Sequence, residues 1–419
     1  MRLPRGRLGG TLRIPGSKSV TNRALVAAAL ATGPSEIVGP LDADDTRVLS
    51  GVLVRLGAAI VAGRDSWEVV GPLSGSGRDE VAFDVGPAGT PARFLLALLP
   101  ALPGRFVLDG SPRLRERPMG PLVEALRRRG ARIEALGREG FLPLRIEGET
   151  LTGGEVSIRA DVSSQFVSAL ILASPLVAGG LSVRTEGRAV SGAYVDLTRR
   201  VLEAFAPDGT YRPARFVVPG DDSAACFPIA GALVSGGCVR LEGLEPDSLQ
   251  PDAVFRRWAT EAGGGLRWEG AGETAALVVK GRDTGAVEAV DADVDSAPDA
   301  ALPLAVLQAF SRGTSRLRGV SRLQAKESDR LRAALDLLER SGAAARTEGP
   351  EGDPALVVDG PAGSPRRADF AASDDHRVAM AAAVLALTLP EGCTLDAPEV
   401  VSKSYPRFWD DWAALLAPR

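Results

Sequence analysis

The sequence predicts an α/β fold of two domains, each assembled from three copies of one βαβαββ unit. Three observations lead there. The chain has 419 residues, of which 45% are hydrophobic and 24% charged; this is a globular composition and more chain than one core usually serves. One pattern, an alternating strand followed by a small or polar turn and an apolar Ala/Leu helix ending near Gly, recurs six times. An amphipathic helix and further strands follow several of those copies.

The six copies run in order along the chain. They are GGTLRIPGSKSVTNRALVAAALATG from Gly9, DEVAFDVGPAGTPARFLLALLPALPG from Asp79 and TGGEVSIRADVSSQFVSALILASPLVAGG from Thr152. PARFVVPGDDSAACFPIAGALVSGG from Pro213, GAVEAVDADVDSAPDAALPLAVLQAFSRG from Gly285 and RRADFAASDDHRVAMAAAVLALTLPEG from Arg366 complete the set. DDTRVLSGVLVRLGAAI, MGPLVEALRRRGARI and SDRLRAALDLLERSGAAA supply the second helices, and LPLRIEG and ALVVDG the later strands. Six units over two domains give three per domain.

Each first helix is preceded by a residue fit to cap it: Ser17, Thr90, Ser163, Asp222 or Ser223, Asp295 or Ser296, and Ser373 or Asp374. A helix start offers unbonded N–H groups and the positive end of the macrodipole. Six such starts facing one cleft would draw anions, although terminating a helix is the ordinary job of a cap.

The formal net charge is −4, which argues against a nucleic-acid binder driven by bulk charge. Cys226, Cys238 and Cys393 have no pairing or metal spacing and fit buried thiols in a reduced, cytoplasmic protein. The opening MRLPRGRLGG lacks an apolar core after its charges, so it does not read as a signal peptide. Apolar runs such as VAMAAAVLALTLP are too short to span a bilayer.

Basic residues are lopsided. Only Lys18, Lys280, Lys326 and Lys403 are lysine, among 49 Lys plus Arg. Lysine is a compact point charge that can lose its proton; arginine is planar and always charged. Three of the four stand in polar clusters, while Lys280 merely ends the strand-like ALVVK. GSKSVTNR holds Lys18 and the only asparagine, Asn22. Lys18 and Ser19 fall in a helix's first turn, where a cation calls for a compensating anion. The glycine spacing of a P-loop is absent.

Other clusters carry chemistry. SPRLRERPMG places Arg113 and Arg117 one turn apart if helical, a pair suited to a carboxylate or phosphate. DVSSQF offers Ser163, Ser164 and Gln165 to a phosphate or polyol. QAKESDRLR reads as a helical first turn of mixed charge, with Lys326, Glu327 and Arg330. SDDHR contains the sole His, His376, and Arg377; VSKSYPRF contains Lys403. Asp299 in SAPDAAL is a plain N-terminal helix charge or a general base.

PGSKSVTNRA, AGT at 88–90, PRLRERP, VSSQF, PDA, KESDR, DDHR and SKSYP, in this order and spacing, resemble the 5-enolpyruvylshikimate-3-phosphate synthase family over essentially the whole chain. The resemblance implies two inside-out α/β domains with the active site in the cleft between them. It divides the chain into residues 1–16 plus 220–419 and residues 17–219. It implies transfer of the enolpyruvyl group of phosphoenolpyruvate to the 5-hydroxyl of shikimate 3-phosphate, through a tetrahedral intermediate, with release of phosphate. That is a shikimate-pathway step toward chorismate and the aromatic amino acids.

The resemblance places Asp299 at the 5-hydroxyl and Glu327 at the C3 proton, with Lys18 assisting. Phosphoenolpyruvate falls to Lys18, Gly89, Arg113, Gln165, Arg330, Arg377 and Lys403. Shikimate 3-phosphate falls to Lys18, Ser19, Arg23, Ser163, Ser164, Gln165, Ser191, Tyr194, Asp299 and Lys326. No cofactor and no metal is implied, and neither nucleic acid nor membrane is a partner; a cytoplasmic monomer is expected. Pro87 stands where the family usually has Asn, Arg322 where some members have Asn, Pro251 for a frequent Gly and Ser373 for a common Asn. UDP-N-acetylglucosamine enolpyruvyl transfer is the nearest rival, but it goes with GAKNA-type text and a Cys near the arginine cluster, and 105–120 has no Cys. A non-catalytic relative would be expected to lose Asp299, Glu327 or Lys403. A specialised-metabolism relative acting on a shikimate-like acid stays open.

Lys18→Arg keeps the charge and should still lower turnover by about 100-fold or more, the scale of a lost proton-transfer group; steady-state kinetics near the unsubstituted rate would refute it.

Overall fold

The computed structural model describes residues 1–416 apart from 78, 160–162, 187–191, 351 and 361–365. Two compact units emerge, Gly16–Pro219 and Met1–Pro15 with Gly220–Arg419. Each has its own apolar core.

The described residues of the Gly16–Pro219 unit form three sheets. Arg215–Val217 pairs parallel with Gly33–Val38, and Ser66–Gly71 and Ala59–Ala62 extend that sheet antiparallel. Glu80–Asp84, Arg105–Asp109, Leu144–Glu147 and Arg132–Ala135 repeat the arrangement. Gly154–Arg159 and Leu181–Glu186 form a parallel pair. The other unit matches it. One sheet runs Gly9–Arg13, Cys238–Glu242, Ala276–Lys280, Gly265–Glu269; another contains Val287–Glu288, Ser311–Arg318, Ala355–Gly360 and Ala344–Glu348; Asp369–Phe370 pairs with Thr394–Leu395. Among the described residues, the last repeat of each unit therefore has a two-stranded sheet.

Two repeats are divided by the chain path. The strand Gly9–Arg13 joins the sheet of one unit, in register with Cys238–Glu242, whereas the helix that follows it, Lys18–Leu30, lies in the other unit. Arg215–Val217 and the helix Asp222–Ser235 show the reverse exchange. The local strand–turn–helix pattern is the same whichever sheet a strand joins, so the pattern alone carries no mark of the exchange.

The helices form the inside. Lys18–Leu30 is buried on every side from Val20 onward, and Gly89–Leu98, Ser164–Ala173, Asp222–Ser235, Ala301–Gln308 and His376–Ala386 are buried almost throughout. A helix apolar all round belongs in a core. The first three touch one another in one unit, and the last three in the other. Their alanines let the backbones approach closely. The sheets lie outside with one solvated face: Trp67 and Val69 point inward while Glu68 is exposed.

Caps depart from expectation. Ser163 caps its helix by accepting from Gln165 N, as expected. Ser17 stands at its cap position, but its hydroxyl makes no cap bond. Thr90 lies inside its helix, after Ala88. Asp221, not Asp222 or Ser223, accepts from Ser223 N and Ala224 N. Asp295 and Ser296 precede a short 3-10 turn, Pro298–Ala300. Asp375 caps the helix His376–Ala386, because Ser373 and Asp374 both take left-handed φ values of 53° in the turn before it. Cys226 and Cys393 are buried as expected, but Cys238, at the start of its strand, is exposed. No helix among the described residues is long and apolar enough to cross a membrane.

Gly231 shows how tight the core is. Replacing a mid-helix glycine by alanine ordinarily gains about 1 kcal/mol. A Cβ there would stand 2.6 Å from Leu8 Cδ1 and 2.9 Å from the Trp412 ring. Overpacking costs about 1–3 kcal/mol, so Gly231→Ala should lower the melting temperature; a rise would contradict this packing.

Candidate active site

In the Gly16–Pro219 unit, Lys18 opens its helix and pairs with Asp45, Nζ to Oδ2 3.1 Å, with both side chains largely buried. Ser19 is half-buried, and its carbonyl accepts from Arg23 Nη1 at 2.8 Å. Arg23 is buried and also donates to Thr198 Oγ1, Ser168 Oγ and the Tyr194 carbonyl. Its guanidinium lies over the rings of Phe94 and Tyr194. Burial pushes its pKa down to about 10, which leaves it charged at neutrality. Arg23 thus ties three elements together at the helix start.

A second group gathers on the next two helix starts. Gln165 accepts from Arg93 Nη1 at 2.6 Å and donates from Nε2 to Thr90 Oγ1 at 3.1 Å. Ser163 and Ser164 precede it, the latter buried. A Cβ on Gly89 would come 2.6 Å from Arg117 Nη1 and 3.0 Å from Arg93 Nη1. Only glycine leaves room for both guanidiniums. Ser191 lies outside the described residues. Arg113 does not share a helical face with Arg117, because the helix ends at Arg115. Arg113 is 43% exposed and pairs with Glu116.

In the other unit the predicted residues converge on Asp299. It pairs with Lys326 at 3.3 Å, Arg330 at 2.6 Å and Arg377 at 3.1 Å. Burial pushes the Asp299 carboxyl up, but Arg377, Lys326 and Arg330 together hold it well below the usual carboxylate range. Glu327 accepts from Arg330 Nη2 at 2.9 Å and lies 3.6 Å from Lys403 Nζ. Arg330, 1% exposed, is gripped from a third side by Asp375, Nε to Oδ2 2.7 Å and Nη2 to Oδ1 3.2 Å. The fully buried Asp375 also accepts from the backbone N–H of Arg377. Lys326 and Glu327 are not helical as expected. Asp329 caps the helix by accepting from Arg332 N, so the helix starts only at Arg330. Arg322 pairs with Asp295 at 3.0 Å.

Each unit presents a cluster of cations and N–H donors, and the cluster around Asp299 adds the carboxyl groups of Asp299 and Glu327. That set suits anionic substrates and proton transfer. Comparison with known proteins agrees. The family model described as EPSP synthase (3-phosphoshikimate 1-carboxyvinyltransferase) matches residues 3–412. The 3-phosphoshikimate 1-carboxyvinyltransferase of Bordetella bronchiseptica is 36% identical, covering 100% of this chain and 98% of that protein. That of Syntrophobacter fumaroxidans is 38% identical, covering 96% of each. The chain belongs to the EPSP synthase family. Among solved structures, EPSP synthase from Acinetobacter baumannii superposes with a TM-score of 0.81 at 24% identity, covering 99% of this chain and 97% of that one. The enolpyruvyl transferase NikO from Streptomyces tendae has a TM-score of 0.78 at 20% identity, covering 100% and 98%. The fold is the two-domain inside-out α/β fold of these enzymes.

Sequence reasoning missed Arg93, Asp45, Asp375 as a bidentate partner of Arg330, and the place of Arg117 at Gly89. Arg93 was findable as the residue one turn after Gly89. Asp375 was visible in SDDHR only as one of two adjacent acids. Asp252 was also missed. It is buried, accepts a hydrogen bond from Ser223 Oγ, and its other oxygen has no hydrogen-bond partner. Burial, reinforced by the charge of Asp299, pushes its carboxyl up to about 7.

The sign of the resulting pH dependence is fixed. Between its unfolded value and about 7, Asp252 stays protonated in the folded chain and ionises in the unfolded one, so its contribution to stability falls as pH rises through that window and levels above it. Asp252→Asn should therefore gain melting temperature relative to the unsubstituted chain between about pH 4 and pH 7. A pH-independent difference would refute the shift.

Proposed function

We infer that this chain transfers the enolpyruvyl group of phosphoenolpyruvate to the 5-hydroxyl of shikimate 3-phosphate and releases phosphate, by addition and elimination through a tetrahedral intermediate. The observation that carries the reading is the Asp299–Arg330–Glu327–Lys403 network, in which two acids are held among four cations. Full-length membership in the family supports it.

The chemistry needs three things. A base must take the proton of the 5-hydroxyl as it attacks C2. An acid must protonate C3, and a base must remove a C3 proton when phosphate departs. Fixed positive charge must hold two highly charged anions. In this reading Asp299, kept ionised by its cations, serves the 5-hydroxyl. Glu327 handles the C3 proton with Lys18. Arg330, Arg377, Lys403, Lys18, Gln165 and the backbone at Gly89 take phosphoenolpyruvate. Arg117 joins them in preference to Arg113, since Arg117 stands against Gly89 and Arg113 is exposed on Glu116. Lys326, Ser19, Ser163, Ser164 and Tyr194 take shikimate 3-phosphate. Arg23, with four bonds to its own protein, positions Ser19 and Tyr194. Bound anions replace carboxylates as partners of Lys18, Arg377 and Lys403, and preorganised charge of this kind supplies much of the barrier reduction. We propose that the enzyme works as a monomer: its exposed large apolar residues, among them Val54, Val61, Leu136 and Val217, are spread over separate elements.

The test is phosphate release on mixing the protein with phosphoenolpyruvate and shikimate 3-phosphate. Release is expected with this pair and not with UDP-N-acetylglucosamine as acceptor. No release, or release only with the nucleotide sugar, would refute the reading.

A further inference from the structure

We propose that Arg93 is a positioning residue that fixes which end of the Gln165 amide faces the substrate; the inference rests on the enolpyruvyl-transfer reading. A glutamine amide has an acceptor and a donor end of nearly equal size, and turning it by half a rotation exchanges them. Something must choose. Arg93 is 4% exposed, lies one turn into the helix Gly89–Leu98 and donates from Nη1 to Gln165 Oε1 at 2.6 Å. The reversed amide would set two N–H donors against each other at that distance. Thr90, one residue into the same helix, accepts the Nε2 hydrogen at 3.1 Å; its hydroxyl could serve either end, so the choice falls to Arg93.

Arg93 is itself held in place. Its guanidinium lies over the ring of Phe166, the residue after Gln165, with 5.5 Å to the centroid, and Nη1 also reaches the Gly89 carbonyl at 3.4 Å. It therefore links the turn of one helix start to the first turn of the next. Nε2 carries two hydrogens, and Thr90 accepts one. The other belongs to a half-buried donor in the first turn of the helix Ser164–Ala173. Gln165 thus offers an anion a donor and not a lone pair, and Arg93 is what makes it so. A hydrogen bond from that donor to a charged group is worth about 1.5–3 kcal/mol, which is tenfold or more in affinity.

A double-mutant cycle tests this. Arg93→Met should raise the KM for phosphoenolpyruvate about tenfold in the otherwise unsubstituted chain, and less than about twofold in a Gln165→Ala chain, because residues acting through one another are not additive. A full tenfold cost in both backgrounds, or no change in either, overturns the inference. Gln165→Glu keeps the partnership with Arg93 but offers an oxygen at both ends. It should keep the melting temperature and lose phosphoenolpyruvate binding by at least as much as Arg93→Met. A Gln165→Glu chain that binds phosphoenolpyruvate normally overturns the inference even if Arg93→Met fails to fold. Absence of phosphate release by the unsubstituted chain would instead sink the function reading, so the two failures are distinct.

Discussion

A guanidinium withdrawn from water must be neutralised where it sits, and the cluster around Asp299 depends on that constraint at Arg330. An isolated charge in a protein interior costs several kcal/mol. Arg330 meets the cost with three carboxylates, Asp299, Glu327 and Asp375. Two of those three are the acids assigned to proton transfer. The demand of one buried cation therefore fixes the spacing of Asp299 and Glu327. Asp375 caps the helix that carries Arg377, and Arg377 returns to Asp299. Removing one member leaves another charge without its partner, so the network acts as one piece.

The cluster in the other unit follows the same logic with less charge. Lys18 is held by Asp45 and Gln165 by Arg93 and Thr90, while Arg23 pins three elements together. The scaffold that allows this is the inside-out core. Three mutually packed, alanine-rich helices in each unit present first turns whose residues bond across from one helix to the next, as Thr90 does with Gln165 and Arg377 with Asp299.

Much of this was legible in the sequence. Six recurrences of one pattern specify the repeated architecture, and the rare residues Lys18, Lys326 and Lys403 fall in the polar clusters that the structure builds. What escaped reading was three-dimensional partnership. Whether Arg113 or Arg117 stands at Gly89 depends on a helix ending at Arg115. Whether Asp374 or Asp375 caps depends on two left-handed residues. The exchange of Gly9–Arg13 and Arg215–Val217 between units is in the division that the family resemblance implies, but not in the local pattern, because a strand's pattern does not name its neighbour. Asn22, the only asparagine, is fully buried with neither amide atom hydrogen-bonded, and nothing in the structure explains its choice.

Arg330, with Arg377 and Lys326, holds Asp299 ionised. The pH profile of kcat/KM reports the ionisations of the free enzyme. Taking away a neighbouring cation raises a carboxylate's pKa. In Arg330→Gln, the acid limb of that profile should move to higher pH by about one unit or more. An acid limb left where it stands in the unsubstituted enzyme would contradict the account.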